Sequence, residues 1–403
     1  MATTTTTTVR TRINPAALIW VRKTGGYSID DFANRADVTT ERMQNWENGS
    51  ERPTYSQLKK LAVSVKRPIA VFYLQRLPVE PAAPQDMRRI AGAGSGYSAD
   101  LLVEIRKARY MAGRIADLRN AANIPAPNVP RYSVLDDPER CAKEFREILS
   151  LTIEEQHKSR DGADMLNIWR DRLYEIGIVS LIYSLKNETA LGFALWEEGV
   201  PMACVNSSRG PQSGAFTLFH EVGHLCLRSS AVSNAGDDAP VEDENELSEQ
   251  DRLETFCNLF SAAILLPADA AVLSSMQALK QENRWDSATG KRIAGHFRVS
   301  KYVFLRRMLT LDLIQRNDFF NTQRKWQEED SHVTGNQIAK STGGPTFYIT
   351  TVSHLGRRYS ADVLEATLSN RITNRDASDL LGIKQRQVGN LADEVFSPRR
   401  RSE

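Results

Sequence analysis

The segment FTLFHEVGHLCL, residues 216–227, constrains this chain more than any other. It is apolar along nearly its whole length, so it belongs inside a core, yet it carries two histidines and a glutamate. Residues four apart on an α-helix lie on nearly one face. His220 and His224 can therefore aim both imidazoles at one ion. Glu221 sits beside the first of them, within reach of a water held at the same place. Gly223 leaves room for another segment to approach closely.

Catalytic zinc usually has three protein ligands and one open position. The third ligand must come from elsewhere, and Glu254 is the best candidate. It is expected to open a helix after the acidic stretch GDDAPVEDENELSEQD (236–251), with Asn258 one turn further along the same face. A His2Glu set favours Zn2+, with manganese or iron as alternatives. Such an ion brings the pKa of its water to about 7, and Glu221 could take that water's proton.

The surroundings predict a mixed fold, mainly α with a small β-sheet (α+β). IVSLIYSL (178–185), ALGFALWEE (190–198) and VPMACVN (200–206) read as three strands preceding the motif helix. Helices are expected at Pro138–Leu149 and near Ala163–Ile176. LETFCNLFSAAILL forms another, and residues 291–315 give two more around Val299–Ser300. Residues 14–76 carry short helical patterns. Ser28 caps one with Asp31 three residues on, Thr39 or Thr40 caps the next, and Gly49 ends it.

The expected organisation is a disordered leader at 1–13 containing the run Thr3–Thr8, then a helical domain at 14–76 and a linker at 77–97. The motif-bearing domain spans 98–316, followed by a polar linker at 317–344, a helical unit at 345–395 and a mobile tail at 396–403. A formal net charge of +2 is too near neutral to argue for nucleic acid, so any DNA contact must be local. The four cysteines are scattered, no apolar run reaches 18 residues, and the N-terminus lacks a signal-peptide core. The expectation is a cytoplasmic protein with no membrane partner.

The segments GFALWEEGVPMACVN, FTLFHEVGHLCL, ETFCNLFSAAILLP and IAGHFRVSKYVFLRRMLTLDLI resemble, in order and spacing, the ImmA/IrrE family of metallopeptidases over about residues 98–315. The resemblance implies a zincin-like core with His220, His224 and Glu254 as ligands and Glu221 as catalytic acid and base. It also implies a zinc-dependent endopeptidase whose substrates are helix-turn-helix repressors of phage or stress circuits. One departure is that family members often carry a basic residue before F-T-L. Gly214 and Ala215 stand there, with Arg209 further upstream. The oxyanion-stabilising group is open between His296, Tyr302 and Arg209, each of which could equally be packing or surface.

SIDDFANRADVTTERMQNWENGSERPT (28–54) resembles the Cro/repressor-type (XRE) helix-turn-helix. In that module the third helix enters the major groove. This implies that Thr39, Thr40, Arg42 and Gln44 face double-stranded DNA and that Arg52 reaches a phosphate. Asp37, Glu41, Glu47 and Glu51 oppose it, and such domains also dock proteins, including a repressor of the same kind. ITNRDASDLLGIKQRQVGNLADEV, in the unit at 345–395, resembles a second helix-turn-helix with Gly382 at the turn. Its stripe of Asp376, Ala377, Leu380, Leu381, Ile383 and Val388, with a polar start, is expected to be core. The alternative to a peptidase is a DNA-binding transcriptional regulator whose metallopeptidase-like domain is a sensor or an antitoxin-like module.

Overall fold

The structure is a computed structural model. It describes residues 10–80, 85–86, 97–185, 190–207, 211–229, 231–234, 248–269, 286–334 and 346–397. The threonine run, most of the acidic stretch, Arg209 and the basic tail lie outside them. The chain forms two compact units. One is drawn from Met1–Ala83 and Ile90–Lys107, the other from Pro84–Arg89 and Ala108–Glu403.

The first unit is built from capped short helices. Asn14 accepts from the Ala16 amide to start α1 (Pro15–Thr24), and Ser28 accepts from the Asp31 amide to start α2 (Ile29–Ala36). Thr39 caps α3 (Thr40–Glu47), and a capping box of Thr54 and Gln57 starts α4 (Tyr55–Ser64). Asp37 takes the left-handed conformation, φ 59°, to end α2. Leu18, Phe32, Met43, Trp46, Leu58 and Phe72 fill the core. Each such side chain stabilises the unit by about 1.5–3 kcal/mol on burial. Residues 10–13, expected in a disordered leader, are ordered. The Thr11 amide donates to Pro53 O at 2.8 Å, and Arg10 pairs with Glu51 at 2.9 Å. A backbone pairing with a turn forty residues away leaves no local signal.

The second unit centres on a sheet. Its strands are β1 (Gln85–Asp86), β2 (Val179–Tyr183), β3 (Ala190–Glu197), β4 (Val200–Asn206) and β5 (Ala231–Asn234), in the order β1-β5-β3-β4-β2. β3 and β4 form a hairpin whose two turn residues, Glu198 and Gly199, both have positive φ (50° and 77°). That is the turn whose twist matches the strands it joins. β2 runs parallel to β4, pairing Val179 with Met202. The three expected strands lie side by side as β3-β4-β2, with β2 at one edge. The structure adds β1, inside the expected 77–97 linker, and β5, both too short for a periodic pattern.

Six helices flank the strands in sequence, α5 (Ala99–Ala121), α6 (Pro138–Ile148), α7 (Ile153–Lys158), α8 (Gly162–Glu175), α9 (Pro211–Cys226) and α10 (Glu249–Leu265), and of these α8 packs on β2 and α9 on β3, β4 and β5. The α9 helix packs on β3 and β4 and against α8 and α10. Trp169 and Phe219 meet edge to face at 5.5 Å between them, and Phe145, Phe256 and Phe260 extend the same core. α11 (Ser287–His296), α12 (Lys301–Thr310) and α13 (Arg316–Thr334) follow. The last of these corrects the expected 317–344 linker. Its composition is polar, but Phe319, Thr322 and Trp326 are buried at helical spacing. Trp326 lies over Gly290, where a Cβ would come within 2.6 Å of its ring. One narrow stripe docks the helix, and an average over polar residues hides it.

The C-terminal helices are α14 (Phe347–Leu355), α15 (Arg357–Leu368), α16 (Asn374–Leu381) and α17 (Val388–Phe396). The stripe from Ala377 to Val388 is buried, and Gly382 takes φ 63° at the end of α16. These helices belong to the same compact unit as the sheet, although they were expected to be a separate domain. Arg170 of α8 fastens them. Its buried guanidinium donates to Ser180 Oγ at 3.0 Å and Ser180 O at 2.9 Å, and to the last-turn carbonyls of Ser353 and His354 at 2.6 and 2.9 Å. Burial lowers its pKa to about 10, so it stays charged and complements the helix C-terminus. Arg170→Leu should cost roughly 3 kcal/mol or more, because charged donors are removed and buried carbonyls stranded. Urea unfolding checks the loss. An unchanged midpoint contradicts the role given to Arg170.

Candidate metal centre

Two helices bring the candidate ligands together. His220 and His224 project one turn apart from α9, and Glu254 projects from the second turn of α10. The α10 helix begins five residues earlier than expected, at a capping box of Ser248 and Asp251. Gly223 sets the helix separation. A Cβ there would stand 3.0 Å from Cys257 Sγ and 3.3 Å from Cys257 Cα. The segment that Gly223 admits is therefore α10 itself.

His220 Nε2 lies 3.1 Å from Glu254 Oε2, His224 Nε2 lies 3.3 Å from Glu254 Oε1, and the two Nε2 atoms are 3.2 Å apart. Among the described residues, this is the one cluster of His, Cys, Asp or Glu whose ligand atoms converge within 4.8 Å. All three side chains are buried. Burial alone would raise the Glu254 carboxyl, but the two imidazoles offset it and hold the group well below the ordinary carboxylate range. Burial pushes His224 down, which leaves its ring neutral at pH 7, the form that binds a metal. The spacing fits a cation. In a tetrahedral site with bonds of about 2.0–2.1 Å, ligand atoms stand about 3.3 Å apart.

Asn258, one turn beyond Glu254, places its Oδ1 3.0 Å from His220 Nδ1. A carbonyl oxygen only accepts, so it holds the proton on Nδ1 and leaves the Nε2 lone pair facing Glu254 and His224. The sequence placed Asn258 on the correct face, but its pairing with His220 depends on how the two helices cross.

Glu221 is fully buried. Its carboxylate rests on β3 at Gly192, where a Cβ would lie 2.6 Å from Glu221 Oε1, 2.7 Å from Thr217 Cγ2 and 2.8 Å from Cys204 O. Only glycine leaves space for that carboxylate. Sequence reasoning missed Gly192, although a glycine inside a strand often marks close approach of another group.

The other expected site residues are not among the three that converge. The His296 ring lies tilted against His157, 4.1 Å between centroids and 39° between planes, and the Tyr302 hydroxyl donates to Asp330 at 2.7 Å. In the first unit, Thr39 serves as the α3 cap, and Thr40 donates to Asp30 at 2.6 Å. Arg42 pairs with Glu51 at 2.8 Å, and the same carboxylate takes Arg10. Gln44 and Arg52 are exposed.

Residues 174–309 match the family described as Peptidase_M78, IrrE N-terminal-like domain. A 67-residue segment is 40% identical to the radiation response metalloprotease IrrE of Deinococcus radiodurans. That alignment covers 16% of this chain and 18% of the relative, so the chain spans less than a fifth of the curated relative it matches. Both findings support the ImmA/IrrE family and a metallopeptidase type of function for the segment that carries the site. Among the described residues, no helix is long and apolar enough to cross a membrane.

Proposed function

We propose that this chain is a zinc-dependent endopeptidase with a zincin-like core, and that its substrate is a helix-turn-helix transcriptional repressor. The convergence of two buried imidazole nitrogens and one buried carboxylate, each 3.1–3.3 Å from its neighbours, carries the reading. A buried carboxylate needs a compensating partner, and a cation among these three atoms supplies it while matching the lone pair that Asn258 turns inward on His220. A divalent ion held by His220, His224 and Glu254 would supply Lewis acidity and lower the pKa of a water at its open position.

The chain's own residues do the rest. Asn258 orients His220, and Glu254 contributes the negative charge that favours a divalent over a monovalent ion. Glu221 takes the proton from the attacking water and returns it to the leaving amine nitrogen, so one carboxyl serves as base and then acid. The repressor as substrate class rests on the family resemblance of the motif-bearing segment. The test is to incubate the zinc-loaded chain with a repressor encoded beside its gene. One cut, read by mass spectrometry and stopped by a chelator, is expected. An intact repressor across several candidates overturns the substrate class.

Gly192 gives a separate prediction. In Gly192→Ala the new methyl cannot displace the Cys204 carbonyl, so Glu221 and Thr217 must move. Misplacement of this size should lower kcat about tenfold to a hundredfold and leave metal content unchanged. Steady-state kinetics beside a zinc assay decide it, and an unaltered kcat contradicts the contact.

The exposed Gln44 and Arg52 on the first unit favour a second role, docking to double-stranded DNA or to the repressor. Because Glu51 compensates Arg42, any DNA affinity falls chiefly to those two positions. Gel shifts with Gln44→Ala and Arg52→Ala test this, and binding that survives both substitutions refutes it.

A further inference from the structure

A cavity of about 570 Å³ opens in the second unit where the C-terminal helices meet its core. The end of α5 lines it with Ile115, Leu118 and Arg119, and the connection that follows adds Ile124 and Pro127. Ile176, just past α8, and Val363 of α15 supply more apolar lining. Arg119 stands apart in these surroundings. Its Nη2 donates to Gly177 O at 3.1 Å, and its Nη1 is buried without a hydrogen-bond partner. Burial lowers its pKa, and no carboxylate pairs with it among the described residues. The other described guanidinium groups with such a nitrogen each have an acid near them. Glu80 serves Arg67 and Arg106, Asp117 and Asp376 serve Arg114, and Asp269 serves Arg146. A buried cation without an anion is costly, and an anion drawn from solution offsets that cost.

We infer that this cavity binds a small molecule made of a carboxylate and an apolar body, with the carboxylate paired to Arg119. The inference stands independently of the peptidase reading. Three observations carry it. Arg119 lacks a counter-ion, and its planar fork of donors matches the two oxygens of a carboxylate. The lining beside it is aliphatic and comes from three separate segments, and Ile124 is left half exposed there. The volume falls within the range of small-ligand sites, about 300–1,000 Å³, which are mostly apolar with a few placed polar groups. The acids of the cavity do not supply the missing anion. Asp362 lies by the Tyr174 hydroxyl, and Glu175 pairs with Arg172 at 3.5 Å. At the exposed edge, Arg358 and Arg371 stand against Glu365.

The probes are octanoate, decanoate and 3-phenylpropionate, each compared with its primary amide. They are titrated by calorimetry into the full chain, zinc-loaded and after chelation. At least one acid should bind about tenfold or more tightly than its amide, which keeps the shape and loses the charge. The affinity should be the same with and without zinc. Arg119→Met should abolish the advantage of the acid over the amide. Ala126→Trp, at an exposed position of the lining, should weaken acid and amide together about tenfold. Thermal melts run alongside, and if Arg119→Met does not fold, Ala126→Trp decides. No saturable binding, equal affinity for acid and amide, an acid preference kept in a folded Arg119→Met, or affinity untouched by Ala126→Trp overturns the site. Binding that disappears on chelation places the acid on the metal centre and overturns it as well.

Discussion

Glu221→Gln is expected to leave the fold and the metal content intact and to lower kcat by about a hundredfold to ten-thousandfold, the range that a positioned general base contributes. The substitution is nearly isosteric. The amide fits the same space over Gly192, where there is no room for a larger group. Glu221 is not among the three converging ligands, so the metal should remain. What is lost is a basic oxygen: an amide can neither take the proton from water nor pass it to the amine. The informative comparison is kcat against metal stoichiometry in one preparation. Cleavage at the wild-type rate removes Glu221 from the chemistry, whereas loss of both metal and activity would make it a ligand.

Removing the carboxylate of the ligand set should have the opposite signature. Glu254→Ala is expected to take bound zinc from about one per chain to near zero after dialysis. It leaves two imidazoles and removes the negative charge between them. A ligand that binds only the folded state stabilises it by about 4 kcal/mol at a thousand times its dissociation constant. Wild type should therefore melt higher with zinc than with chelator, and the variant should show little difference. Without metal, Glu254 is compensated only by the two imidazoles beside it, so its removal costs far less there than in the zinc-loaded protein. The chelated proteins should accordingly differ less in stability than the zinc-loaded ones. Full zinc occupancy in Glu254→Ala would place the third ligand elsewhere.

The legible parts of this fold are those written locally. Side-chain caps at Ser28, Thr39 and Thr54 each accept an amide hydrogen bond, and the polar residue three positions on marks the helix start. The pairing of His220 with His224 follows from helical geometry alone. Glu254 required a guess about which distant helix crosses α9, and the face shared with Asn258 guided it. What escaped notice was decided by contacts between remote segments. Gly192 looks like an ordinary strand glycine until α9 lays Glu221 across it. Arg42 reads as a DNA-facing guanidinium until Glu51 folds back onto it. Trp326 reads as one aromatic in a polar stretch until Gly290 provides its seat. In each case the residue types were visible, but the partner was set by tertiary packing.

Diffraction from crystals of the zinc-loaded chain, recorded on both sides of the zinc absorption edge, tests the central claim most directly. An anomalous peak should appear between His220 Nε2, His224 Nε2 and the Glu254 carboxylate, with Glu221 outside bonding distance. Stoichiometric zinc with no peak at that point, or a peak on cysteine sulfur instead, contradicts the account.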